Sequence, residues 1–338
     1  MQPIHLSMIR RAAFAAILSL GLTACDDTAD LRTAAERGDA QAQFRLALRY
    51  ETGTGVPKDM GEAMKWHRKA AEQGDVSAQF YLGTLYEEGK GVARDHAKAV
   101  KWYRLAAEQG SLIAQSTLGT LYHLGEGVQQ NYAEAMKWYR MAAEQGDASA
   151  QYDIGRMYRA GEGVPRDYSE AATWLRMSAE QGYASGQYYL GGLYEEGQGV
   201  ARDYAKAVKW FRLAAEQGDR RFQWYLGHIY AEGRVVARDY GEAEKWSRLS
   251  AEQGHLMAQF QLGEMYLDGT GVTRDKVQAY VWFSLAARHG YPEGAKYRDS
   301  LAKKMSPEQI AEGQRKVEEW KQKGSLKSRM TPAESPKQ

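Results

Sequence analysis

The sequence predicts an all-α solenoid, and three observations carry that prediction. Tryptophan recurs at Trp66, Trp102, Trp138, Trp174, Trp210, Trp246 and Trp282, each 36 residues from the next. Glycine keeps the same step from Gly38 to Gly290, and tyrosine keeps it from Tyr50 to Tyr266. Within each period, two stretches with helical spacing flank a glycine-rich interruption. Periods of this size mark stacked supersecondary units that pack only on their neighbours. A length of 338 residues therefore adds repeats rather than deepening one core.

Residues 75 to 110 show how one repeat is built. Ala78, Leu82, Leu85 and Tyr86 fall at i, i+4, i+7 and i+8, the apolar stripe of a first helix. EGKGV then interrupts the pattern, and Asp95 opens a second helix as its N-cap. In other repeats the cap is followed three residues later by Glu or Gln: Asp59 with Glu62, Asn131 with Glu134, Asp167 with Glu170, Asp239 with Glu242 and Asp275 with Gln278. These pairs predict reciprocal capping boxes. Asp95 and Asp203 are followed by Lys98 and Lys206, so only the simple cap is expected there. The second helix should stop at the AEQG glycine in the left-handed C′ position. Gly83 and its equivalents, with Ala99 and its equivalents, are small residues placed for close helix approach beside the tryptophans.

A-x-Q-x-x-L-G-x-x-Y, then G-x-G-V-x-x-D, then A-x-x-W-x-x-x-A-A-E-Q-G resembles the Sel1-like repeat, a relative of the tetratricopeptide repeat. The resemblance covers residues 39 to 290 in seven repeats and implies a right-handed α-solenoid. Departures are Ala47 for the first-helix glycine, Val235 for a loop glycine, and AARHG at the end of the seventh repeat. Residues 25 to 38 read as an anchored N-terminus and capping segment. Residues 291 to 324 read as C-terminal capping helices with a turn at Ser306-Pro307, and 325 to 338 as a disordered tail poor in apolar residues.

The first 24 residues have the regions of a signal peptide: Arg10 and Arg11, an apolar run from Ala12 to Leu22, then small residues. Leu22-Thr23-Ala24-Cys25 resembles a bacterial lipobox, which implies that Cys25, the only cysteine, is acylated. Asp26 resembles an inner-membrane retention signal, which implies an inner-membrane anchor facing the periplasm. Met8 offers a second start that keeps both arginines.

Composition narrows the function. From residue 25 onward, 43 basic side chains face 43 acidic ones without a basic stripe, which argues against nucleic acid as a partner. The GxG loops lack the third glycine and the preceding strand of a dinucleotide site, so turns are expected and no cofactor. His67 and His123 stand where other repeats carry unrelated residues, and no metal set is expected. Ser300-Leu301-Ala302-Lys303 matches S-x-x-K, a motif of β-lactamase-type hydrolases, without S-D-N or K-T-G beside it. The expected role is a non-catalytic scaffold that holds a protein or peptide. Its rivals are binding of peptidoglycan or exopolysaccharide and, more remotely, hydrolysis.

First helices line the concave face in solenoids of this kind. The sixth place of each repeat reads Phe44, Phe80, Ser116, Tyr152, Tyr188, Trp224 and Phe260. Such a ladder is either packing between helices or a row of aromatic anchors for a partner. The candidate contact residues are Tyr152, Arg156, Tyr188, Tyr189, Trp224, Tyr225, His228 and Phe260.

Overall fold

The computed structural model describes residues 28–330. The signal peptide, Cys25, Asp26 and residues 331–338 lie outside them. The described residues form seventeen helices and no strand, an all-α repeat solenoid. They divide into two compact halves, the boundary falling between Gln181 and Gly182.

In the first half, α1 (Thr28–Glu36) precedes four helix pairs: α2 (Ala40–Thr52) with α3 (Met60–Glu72), α4 (Val76–Glu88) with α5 (His96–Glu108), α6 (Leu112–Leu124) with α7 (Tyr132–Glu144), and α8 (Ala148–Ala160) with α9 (Tyr168–Glu180). The second half holds three pairs: α10 (Ala184–Glu196) with α11 (Tyr204–Glu216), α12 (Arg220–Glu232) with α13 (Tyr240–Glu252), and α14 (Leu256–Asp268) with α15 (Lys276–Arg288). Two closing helices follow, α16 (Pro292–Ala302) and α17 (Pro307–Met330).

Local chemistry sets the helix ends. Asp59, Asp95, Asn131, Asp167, Asp203, Asp239 and Asp275 are all N-caps, each accepting from one or two backbone N–H groups of the first turn. The reciprocal half of the expected capping boxes is not formed. Each cap residue's own N–H already donates to a tyrosine carbonyl of the preceding helix, as from Asp59 to Tyr50 at 2.9 Å and from Asn131 to Tyr122 at 2.9 Å. The third-residue carboxylates turn elsewhere: Glu62 to Lys65 at 2.6 Å, and Glu242 to the Trp246 indole at 2.9 Å. A true box occurs where no tyrosine carbonyl competes. At the start of α17, Ser306 N–H donates to Gln309 Oε1 at 3.1 Å and Gln309 N–H to Ser306 Oγ at 3.3 Å. Gly110, at the end of AEQG, has φ of +90° with open space around a would-be Cβ, so backbone conformation alone selects glycine there.

The predicted stripe of Ala78, Leu82, Leu85 and Tyr86 is buried. The tightest small-to-large fit, however, does not involve the tryptophan. It lies between the first-helix glycine and the residue after the tryptophan: a Cβ on Gly119 would stand 2.5 Å from the Tyr139 ring. Gly119→Ala is expected to cost about 1–3 kcal/mol through overpacking. The denaturant midpoint of the variant measures this, and an unchanged midpoint would show that the ring can give way. In the same register Ala47 takes the place of the glycine and His67 that of the ring, and both are fully buried.

Two bonded columns link successive repeats. The AEQG glutamine donates to the A-x-Q glutamine thirty residues earlier, as Gln109 to Gln79 and Gln145 to Gln115, both at 2.7 Å. The A-x-Q glutamine in turn donates to a carbonyl at the end of the preceding second helix, as Gln115 to Ala107 at 3.1 Å. In the seventh repeat His289 takes over, its Nδ1 lying 2.9 Å from Gln259 Oε1, so AARHG preserves the bridge. Arginines donate to tyrosine hydroxyls eighteen residues later, as Arg68 to Tyr86 at 3.0 Å and Arg140 to Tyr158 at 2.7 Å. The glutamine bonds add a second partner to helix-end carbonyls that already accept a backbone N–H, as Ala107 does from Gly110 at 3.0 Å.

At the C-terminus, α16 and α17 cover the last repeat, with Trp320 of α17 against Trp282 at 5.3 Å between ring centroids. The helix runs to Met330, six residues into the segment that composition assigns to a tail. Ser325 to Met330 contain no glycine or proline, and the first breaker is Pro332.

Candidate functional site

The sixth-place ladder packs mainly onto second helices. Phe44 and Phe80 are buried, with ring centroids 5.4 Å from His67 and 5.3 Å from Tyr103. Ser116 is buried as well. Tyr188 lies 5.6 Å from Phe211, stacks on Phe222 at 5.0 Å, and meets Tyr189 and Tyr225 edge-on at 5.5 and 5.1 Å. The Tyr225 hydroxyl donates to Glu195 at 2.8 Å, and burial with that carboxylate pushes its ionisation far above the ordinary tyrosine value. Tyr188, Tyr189 and Tyr225 thus form one half-buried aromatic knot of α10 and α12.

In the first half, Tyr152 and Arg156 lie in a charged cluster on α8. Arg156 Nη2 is 3.2 Å from His123 Nε2, and its Nε is 3.7 Å from Asp153. Glu162 reaches His123 at 3.4 Å. Burial pushes the Asp153 carboxyl up to about 7, with Arg156 opposing the shift. Burial, then the Arg156 charge, lowers the His123 imidazole. His67 is buried beside Glu51 at 3.7 Å. Among the described residues, no group of three or more His, Cys, Asp or Glu is placed to hold a metal ion. Ser300 and Lys303 stand exposed at the end of α16.

The remaining candidates converge. Trp224, His228 and Phe260 line a cleft of about 410 Å³ between α12 and α14. Trp224 is sandwiched between His228 (5.5 Å, 14°) and His255 (5.3 Å, 25°), so its ring is fixed in orientation. His228 is held by Glu232 at 3.2 Å. Phe260 is braced by Phe283, Tyr291 and Tyr297 at 5.0–5.4 Å. Such bracing makes a preformed wall rather than a collection of loose side chains. Sequence reasoning missed part of the polar lining of the cleft: Gln261, Glu264 and Asp268. The signal was present, since Glu264 is the sole carboxylate in a tenth-place column otherwise reading Leu48, Thr84, Thr120, Arg156, Gly192 and His228.

An all-α array of identical helix pairs with a cleft on its first helices defines a repeat scaffold. The Sel1 repeat family matches seven times, at residues 40–75, 76–111, 112–147, 148–183, 184–219, 221–255 and 256–291, and the chain belongs to that family. Among solved structures it is similar to a Sel1 repeat protein from Oxalobacter formigenes. The two are 33% identical over 89% of this chain and 91% of that one, with a TM-score of 0.73. It is also similar to a protective antigen of uropathogenic Escherichia coli displaying an SLR fold, at 32% identity over 98% and 91% of the two chains, with a TM-score of 0.43. No curated protein matches the chain. Sel1 repeats commonly mediate protein–protein interaction and are typically non-catalytic.

Proposed function

We propose that this protein is a non-catalytic scaffold of the bacterial cell envelope that holds a protein or peptide partner on the face made by the first helices of its repeats. The observation that carries the reading is the cleft between α12 and α14, whose aromatic walls are braced from behind and whose rim includes the exposed Met257. Rigid aromatic anchors around a concavity are the features from which binding hot spots are made. A lipid on Cys25 would hold the chain at the inner membrane, facing the periplasm.

Met257→Lys places a charge on the rim without touching the core. In quantitative crosslinking pull-downs from native envelopes, one protein recovered with wild type is expected to be lost with this variant. Retention on purified cell wall with no crosslinked protein would replace the reading with polysaccharide binding. For the anchor, Cys25→Ala is expected to abolish labelling by an alkyne fatty acid and release the chain from membranes; persistent labelling would refute it.

A further inference from the structure

We infer that the cleft between α12 and α14 receives the side chain of an arginine presented by the partner. The inference rests on the scaffold reading above and names what the cleft selects.

Glu264 and Asp268 stand four residues apart on α14, on the same side of the helix, so two carboxylates repel each other there. They also occupy the C-terminal turns, where the helix dipole disfavours negative charge. Neither has a hydrogen-bond or ion-pair partner among the described residues, and no lysine or arginine lines the cleft. Burial, with Asp268 beside it, holds the Glu264 carboxyl above its usual range, the mark of a carboxylate left without a cation. Glu232 is already engaged with Arg234 at 2.6 Å and does not share this deficit.

A second, independent deficit lies next to these carboxylates. The side-chain oxygen of Gln261 is buried and accepts no hydrogen bond. The cleft therefore offers two carboxylates without a lysine or arginine to meet them, beside the aromatic wall of Phe260 and Tyr291, with the unpartnered Gln261 oxygen buried beneath. A planar guanidinium carries five donors in a fixed fork, stacks on aromatic faces, and brings apolar methylenes to fill the space behind it. An ammonium is a compact, strongly hydrated point charge that meets fewer of these requirements.

The test uses the full chain against a phage-displayed library of random dodecapeptides, followed by affinity measurement on synthetic copies of the selected sequences. Selected peptides are expected to share one arginine. Replacing it with citrulline should weaken binding at least tenfold, and replacing it with lysine should weaken it severalfold. The E264Q/D268N double variant, checked for folding by circular dichroism, should lose the same factor for the arginine peptide and none for the citrulline peptide. Binders without arginine, equal affinity of the lysine or citrulline peptide, or an unaffected double variant would each overturn the inference while leaving the scaffold reading intact. Failure of any peptide to bind, together with an unchanged crosslinking pattern for Met257→Lys, would overturn both.

Discussion

Glu51→Ala is expected to destabilise the N-terminal repeats by about 3 kcal/mol at neutral pH, and wild type is expected to lose a similar amount in acid. The Glu51 carboxylate is buried, accepts from the Tyr81 hydroxyl at 2.6 Å, and pairs with Lys90. Burial alone would raise its pKa, but nearby His67, Lys90 and Tyr81 outweigh burial and hold it at about 2. A carboxyl depressed in the folded state contributes stability above its unfolded value, near 4.5, and loses it as pH falls toward 2. His67 acts in the same direction, because burial keeps it neutral and protonation below the ordinary histidine range opposes folding. Glu51→Gln can retain the acceptor for Tyr81 while removing the titration. Denaturant midpoints for wild type and Glu51→Gln should therefore converge as pH is lowered from 5 to 2. Parallel acid sensitivity in both proteins would exclude Glu51 as its source.

Gln115→Leu is expected to cost about 1–3 kcal/mol, concentrated in α6 and α7. The side chain is 2% exposed, donates to the Ala107 carbonyl and accepts from Gln145. Leucine fills the volume but removes both inter-repeat hydrogen bonds, each worth about 0.5–1.5 kcal/mol net, while the Ala107 carbonyl keeps the Gly110 N–H at 3.0 Å and the Gln145 amide keeps the Gly110 carbonyl at 3.2 Å. Gln145→Leu removes the same bridge from its exposed end, where water can replace the lost partner, and should cost less than about 1 kcal/mol. Hydrogen exchange resolved by repeat would read both variants. Equal losses would mean that the two ends of the bridge are equally buried in solution.

The period was legible as literal repetition, and the helix limits and N-cap aspartates because each depends on residues within one helical turn of each other. The glutamine and arginine columns were visible as letters, but what they bond to was not, because their partners lie thirty and eighteen residues away. Knowing that Gln145 meets Gln115 requires the register of one repeat on the next. The capping boxes misled for a related reason: a local S/T/D-x-x-E rule cannot see that the Tyr50 carbonyl has already taken the Asp59 N–H. The aromatic ladder carried both readings at once, and the structure separates them, with Phe44 and Phe80 in the core and Trp224 and Phe260 on a cleft. Glu264 and Asp268 sat in plain view at i,i+4; their lack of a cation exists only in three dimensions.

The glutamine bridges have a consequence for how such a gene can change. Each spans the same separation whichever repeats it joins, so excising one whole cassette, such as residues 111–146, would bring Gln151 to the Ala107 carbonyl in place of Ala143. The coding sequence can lengthen or shorten by recombination between its own near-copies without stranding the buried amides, provided the step is one full period. A deletion of any other length would leave glutamines facing the wrong neighbours, so selection for folding alone would keep the spacing at 36 while the residues lining each groove diverge.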